Sequence, residues 1–288
     1  MTTNSATASF YAFEGLRSRL DRALEASGLT NAPIDWRRLA MADQFHAGGI
    51  EATREAVSTL DLTAESEVLD LGSGFGGPAR LLAGTYGCRV IGIDLTPEYV
   101  EIATDLTERT GLSDLVSFKV ADALELPFPD HRFDAALTQH VGMNISDKRR
   151  FYSEIFRVLK PGGRVAIYDV VLTGDESLTY PMPWASTDSA SHVVRPEEIV
   201  RNLQEAGFDE IQTEDKTPLA LRVFAEMGQL METPGGPPPL NLISLLGGNS
   251  IVAVRNLAEA LSGGRLEARL FTAQKSSGSQ SKETIHAS

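Results

Sequence analysis

Three aspartates stand at or just beyond the ends of three successive apolar runs: Asp70 in VLDLG, Asp94 in VIGIDL and Asp122 in KVADALEL. Between the first two lies GSGFGG, in which Gly72, Gly74 and Gly77 satisfy G-x-G-x-x-G. A glycine-rich turn at the mouth of a strand lets a ligand approach the backbone and the N-terminus of the next helix. Asp94 can then accept two hydrogen bonds from a ribose diol. Both features serve a nicotinamide dinucleotide, and both serve S-adenosylmethionine. Asp70 separates the two. Its carboxylate, two positions before the first glycine, would repel a pyrophosphate and attract the ammonium group of a methionine moiety. Asp122 can accept from an adenine amino group. The three acids would thus serve the amino-acid, ribose and base ends of one elongated ligand.

Methyl transfer from a sulfonium is an in-line displacement that needs an aligned lone pair and exclusion of water. A hydroxyl acceptor also needs a base. His140, in TQHVGMNISDK, directly follows the fourth apolar run, where open parallel sheets place their sites. Asn144, four residues on, would share its face of a helical turn. His140 either removes a proton from the acceptor or lines the pocket, and an unperturbed imidazole titrates near ~6.5. Asp169, at the end of the fifth run, would orient His140, bind a cationic acceptor or cap a turn. Gln139 ends the fourth run and is a further candidate for cofactor contact. Upstream, Gln44, Phe45 and His46 precede Gly48-Gly49, a hinge that would let the segment close as a lid. Gln44 then reaches the cofactor, while Phe45, His46, Asn144 and Trp184 face the acceptor; aromatic faces attract cations. Gly77 serves either the ligand or helix packing. His46, His131, His140 and His192 lack a recognisable ligand spacing, so no metal is expected.

The elements that must hold these residues follow from periodicity. Residues 10–26 place Phe10, Phe13, Leu16, Leu20 and Leu24 on one helical face, and residues 36–60 read as a helix broken at the paired glycines. Alternation then begins: EVLDLG is a strand, Pro78 to Tyr86 a helix and CRVIGIDL a strand. Thr96 is placed to cap the next helix, with Pro97 at its first position and Gly111 at its end. VSFKVAD, FDAALTQ and GRVAIYDVV read as strands, the last preceded by a tight turn at LKPGG. PEEIVRNLQEAGF is a helix, and DEIQTED and RLEARLFTAQ are late strands. Such alternation with short connections argues for a parallel sheet covered on both faces. The domain reading is an N-terminal helical extension or lid over 1–62, a core over 63–275 with acceptor-binding inserts at 174–195 and 216–262, and a disordered tail over 276–288.

Composition narrows the partners. With 288 residues and 42% hydrophobic content, the chain can bury one elaborated α/β domain. A formal net charge of -13 argues against nucleic acid and anionic membranes as bulk partners. Cys88 is the single cysteine, so no internal disulfide is possible. No basic-then-apolar leader and no ~18-residue apolar run occur, which implies a soluble cytoplasmic protein.

VLDLGSGFGG, VIGIDLTPEYVEIA, VADALELPFPDHRFDAALTQ and EIFRVLKPGGRVAIYD together resemble the class I S-adenosylmethionine-dependent methyltransferases. The resemblance covers roughly residues 44–275. It implies a Rossmann-like seven-stranded, mostly parallel sheet with an antiparallel last strand, helices on both faces and S-adenosylmethionine as cofactor. It also implies cofactor roles for Asp70, Gly72, Ser73, Gly74, Asp94, Leu95, Asp122 and Ala123. ALTQHVGMNISDKRRFYSEIFRVLKPGG looks most like the small-molecule branch: sarcosine/dimethylglycine, phosphoethanolamine, ubiquinone-pathway and natural-product sugar methyltransferases. The chain departs from the phosphoethanolamine enzymes at His140 and Asn144, where those have Asp and His. The expected activity is methyl transfer to an N, O or S atom of a small-molecule metabolite, by a chain able to form a homodimer. The rival readings are an NAD(P)-dependent oxidoreductase, which leaves Asp70 and Asp122 unexplained, and a non-catalytic cofactor-binding protein.

Overall fold

The computed structural model describes residues 10–11, 15–31, 33–247 and 249–277. Its centre is one sheet of seven strands: β1 Glu67–Leu71, β2 Arg89–Asp94, β3 Val116–Val120, β4 Phe133–Gln139, β5 Leu159–Leu172, β6 Phe208–Asp215 and β7 Leu266–Lys275. Their order is β3-β2-β1-β4-β5-β7-β6. The first five pair in parallel, and β7 runs antiparallel to both β5 and β6. Alternate residues of each strand face opposite layers. Val68, Val90, Leu137 and Tyr168 join one core, while Leu69, Ile93, Ala136 and Ile167 join the other. Burial on both faces accounts for the unbroken apolar runs of β1, β4 and β5. The order reverses between β1 and β4, so a crevice opens beyond the carboxyl ends of those strands.

Helices α1 Leu16–Ala26, α2 Ala40–Asp43 and α3 Gly49–Val57 precede the sheet. Helices α4 Gly77–Tyr86, α5 Pro97–Arg109, α6 Lys148–Val158 and α7 Pro196–Ala206 connect its strands, and α8 Thr217–Glu232, α9 Leu242–Leu246 and α10 Asn249–Ser262 lie between β6 and β7. A third core joins Leu16, Leu20 and Leu24 of α1 to Tyr99, Ile102 and Leu106 of α5 and to Leu240 and Leu245. The N-terminal helix and the segment between β6 and β7 therefore meet on one side of α5.

Three local expectations need correction. The helix expected over 10–26 does not run unbroken: Gly15 sits left-handed at φ 71 just before Leu16–Ala26, and Phe10 is helical ahead of it; Phe13 lies outside the described residues. Thr96 occupies the cap position of α5 but makes no capping bond with its side chain. Asp94 Oδ1 accepts from the Thr96 amide instead, at 2.9 Å. The glycines after Pro161 form no turn before a strand. They lie inside β5 as a bulge, where pairing jumps from Phe133–Leu159 to Ala135–Arg164. Of the tail expected over 276–288, residues 278–288 lie outside the described residues.

One buried ion pair ties these parts together. Arg80 of α4 and Asp43 of α2 are 0% and 3% exposed and lie 2.9 Å apart. The same guanidinium donates to Phe75 O at 2.6 Å and to Ala103 O and Thr107 Oγ1 of α5 at 3.3 and 3.0 Å. Burial pushes the Asp43 carboxyl up and the Arg80 guanidinium down, and each partner offsets that for the other. Removing one partner strands the other in an apolar interior. Arg80→Met should therefore cost about 3–5 kcal/mol in denaturant unfolding, whereas Arg80→Met with Asp43→Leu should regain a substantial part. A single variant within ~1 kcal/mol of the parent would contradict this account of the pair.

Candidate active site

The glycine loop between β1 and α4 is shaped by contacts that leave no room for side chains. Gly72 has φ 71, and a Cβ there would meet Val141 Cγ2 at 2.2 Å. The amides of Gly72 and Ser73 both donate to Ile93 O, at 2.8 and 2.9 Å. The Gly74 amide donates to Asp94 Oδ2 at 3.0 Å. Asp94 thus braces the loop as well as facing the crevice. A Cβ on Gly77 would stand 2.4 Å from Asp43 O, so this glycine serves packing between α2 and α4.

A cavity of about 600 Å³ opens at the carboxyl ends of β1, β2 and β4. Asp70, Gly72, Ser73, Gly74, Asp94, Leu95, Asp122 and Ala123 all line it, and so do Gln139, His140, Asn144, Phe45, His46 and Trp184. Gln44 and Asp169 do not. Asp70 Oδ2, Ser73 Oγ and Gln139 Nε2 are buried without a hydrogen-bond partner among the described residues. Buried polar atoms are nearly always satisfied, so orphans clustered at one cavity mark the place of a polar ligand. Burial and the neighbouring Asp94 push the Asp70 carboxyl up to about 7. A cation at Asp70 would satisfy both the oxygen and the charge, which fits the ammonium end of S-adenosylmethionine. Asp122 Oδ1 accepts from the Leu124 amide at 2.8 Å, which fixes its carboxylate at the cavity wall.

The residues after β4 are held in an unusual backbone. His140 adopts φ 54, a left-handed conformation rare outside glycine. Its amide donates to Tyr168 O at 2.7 Å. Its ring stacks on Tyr168 with centroids 5.3 Å apart, and the His46 ring stands edge-on to both, at 5.9 and 5.8 Å. Asp169 points to the other face of β5. Its two oxygens accept from the amides of Val141 and Gly142 at 3.0 and 3.1 Å, so it caps the turn after His140 and lies away from the cavity. Of the alternatives for Asp169, the turn cap fits this geometry. Burial holds both imidazoles neutral: His46 is pushed down to about 4, and His140 falls well below the usual histidine range. Titration of His140 near 6.5 does not hold for this environment.

Thr53 and Tyr11 carried no recognisable sequence signal, yet both bond to residues that did. Thr53 of α3 lies 2.7 Å from Gln44 Oε1, 3.0 Å from His46 Nε2 and 3.2 Å from Gln139 Oε1, linking the segment before α3 to β4. Gln44 acts within this network. Tyr11 donates to Asn144 Oδ1 at 3.2 Å, and Phe45 packs edge-on against Phe75 and Tyr99 at 4.4 and 5.8 Å. Trp184 is buried and donates to Ser191 Oγ at 2.9 Å. Tyr168 was legible in principle: a period of two puts it, and not Asp169, on the face of β5 shared with the cavity. Among the described residues, no group of three or more His, Cys, Asp or Glu could hold a metal, and no helix is long and apolar enough to cross a membrane.

Comparison with known proteins agrees with this arrangement. Residues 69–167 match a family model described as a methyltransferase domain. Over 100 residues, 35% of this chain and 28% of the relative, the chain is 48% identical to a probable chloroplastic tocopherol O-methyltransferase of Oryza sativa subsp. japonica. Over 212 residues, 73% of this chain and 41% of the relative, it is 33% identical to phosphoethanolamine N-methyltransferase 1 of Zea mays. The chain thus spans less than half the length of these curated relatives. Among solved structures, the geranyl diphosphate C-methyltransferase of Streptomyces coelicolor A3(2) superposes with a TM-score of 0.68 at 18% identity, over 96% of this chain and 98% of that one. That likeness shows the fold. The loop, the three acids and the strand order agree with that family match, and residues 69–167 form a methyltransferase domain.

Proposed function

We propose that the protein transfers a methyl group from S-adenosylmethionine to an atom of a small molecule held in the far half of the same cavity. The observation that carries this reading is one continuous cavity with orphaned polar atoms at Asp70 and Ser73 and an uncharged wall at its other end. When bound, the cofactor supplies a methyl carbon made electrophilic by its sulfonium. Asp70 receives the ammonium group, Asp94 the ribose diol and Asp122 the adenine amino group. The Gly72–Gly74 backbone lets the ligand approach, Leu95 and Ala123 wall the base, and Gln139 faces the reacting end. His140 and His46, held neutral, add no positive charge beside the sulfonium. His140 positions the acceptor, and Asp169 holds the backbone that carries His140. Tyr11 and Phe45 cover the cavity and keep water from it. A nicotinamide dinucleotide fits less well, because its pyrophosphate would lie against Asp70.

Calorimetry with S-adenosylhomocysteine tests the cofactor assignment. An ammonium group prefers the ionised form of Asp70, whose carboxyl titrates at about 7 in the free protein. Binding should therefore release a proton below pH 7, and affinity should fall roughly tenfold per pH unit as the medium is acidified below that point. Asp70→Asn should bind weakly and lose this dependence. Tighter binding of NADH than of S-adenosylhomocysteine would overturn the reading.

The neutral state of His46 has a separate consequence for stability. Its folded value lies near 4, below the value of about 6.5 for an unfolded chain. Between those limits the unfolded state binds the extra proton, so this contribution is intact above pH 6.5 and is lost as pH falls toward 4. Unfolding free energies at pH 7.5 and 5 should differ more in the parent than in His46→Gln, by on the order of 1 kcal/mol. Equal pH dependence in the two proteins would mean that His46 is not held neutral.

A further inference from the structure

The cavity is electrostatically lopsided. The carboxylates that line it are Asp43, Asp70, Asp94 and Asp122, and all belong to the cofactor groove or, for Asp43, to the ion pair with Arg80. Among the described residues, no lysine or arginine lines the cavity. The other half is built from three parts of the chain: Met143 after β4, Met182 and Trp184 from the segment after β5, and Leu246, Ala253 and Leu257 from α9 and α10. Met182, Trp184 and Leu257 are 0%, 3% and 3% exposed. Its polar atoms are neutral: the imidazoles of His46 and His140, the amide of Asn144 and a few hydroxyls.

We propose that this half of the cavity takes an uncharged, apolar acceptor, and that it rejects molecules carrying a phosphate or an ammonium group. The proposal rests on the methyltransferase reading and names the acceptor class for that same site. A buried charge without a partner costs several kcal/mol, which no apolar contact on its neighbouring carbons restores. A phosphate would meet no cation here, and the nearest ionised groups are carboxylates. The described residues offer no cluster of three or more metal-binding side chains, and the carboxylates that line the cavity lie at the cofactor end. An ammonium would find no carboxylate on its own side, since the acids are engaged at the cofactor end. An uncharged alcohol or phenol loses little on entry: the walls accept its carbon skeleton, and the neutral groups near His140 accept its hydroxyl.

A matched set of ligands isolates charge from shape. Geraniol, geranylamine and geranyl diphosphate with Mg²⁺ share one apolar chain. Each is titrated by calorimetry into the intact protein saturated with S-adenosylhomocysteine at pH 7.5. Geraniol should bind, and each charged analogue should bind at least about tenfold more weakly. Binding of the diphosphate or the amine as tightly as the alcohol overturns the proposal, as does an alcohol that fails to bind. If S-adenosylhomocysteine itself does not bind in the preliminary titration, the methyltransferase reading fails, and that outcome is distinct from either result.

Discussion

The Arg80 guanidinium is fully buried, and everything it touches must come to it. Its partners belong to separate parts of the chain: Asp43 ahead of the sheet, the carbonyl of Phe75 inside the glycine loop, and Ala103 and Thr107 on α5. An arginine in an apolar interior is tolerable only where such partners are fixed, since its charge has no water to fall back on. The requirement therefore runs outward. It sets where α2 ends, and so where Gln44, Phe45 and His46 begin. It holds the loop that faces the cofactor, and it fixes α5, whose Tyr99 backs Phe45. The glycines obey the same constraint: a side chain on Gly76 would reach Arg80 at 2.8 Å, and one on Gly77 would strike Asp43.

Asp94 shows how recognition and architecture share one group. Its two oxygens already accept from the amides of Gly74 and Thr96. A carboxylate has lone pairs to spare, so a diol can be added to this arrangement without dismantling it. The loop is thus shaped from within the chain, by a residue that also lines the cavity. Tight preorganisation of this kind spares the ordering cost at the moment of binding.

Much of this was legible in the residues because it follows short-range rules. Strand and helix alternation, the three acids at strand ends and the opening of the glycine loop all follow from local spacing. The errors came where a long-range partner decides. Asp169 left three readings open, and only the packing of the neighbouring turn, whose amides it accepts from, favours the cap. Tyr168, one residue earlier, was passed over although alternation puts it beside His140. Arg80 reads as an ordinary helix residue until Asp43, far upstream in the chain, is seen against it. Tyr11 meets Asn144 across more than a hundred residues, and no pattern in either neighbourhood announces the contact. The glycines after Pro161 suggested a turn ahead of the strand, but the strand already pairs with β4 at Leu159 and resumes pairing at Arg164, so they fall within it at a register shift. The insert expected over 216–262 carried no detail, since the cavity wall that Leu246, Ala253 and Leu257 form exists only once they are packed against the rest.

The place of β7 bears on how the molecule is assembled. It is the last strand in the chain, yet it lies between β5 and β6 and is the partner of both. Until it is made, β6 has no neighbour in the sheet. Helices α8 and α10 lean on β7 as well. A growing chain synthesised from its N-terminus thus completes the sequence of the cofactor groove about 140 residues before it can secure the opposite wall. A chain cut short of Leu266 would keep every residue of the three-acid groove while losing the strand on which β6 and the helices of the cavity's far wall are hung.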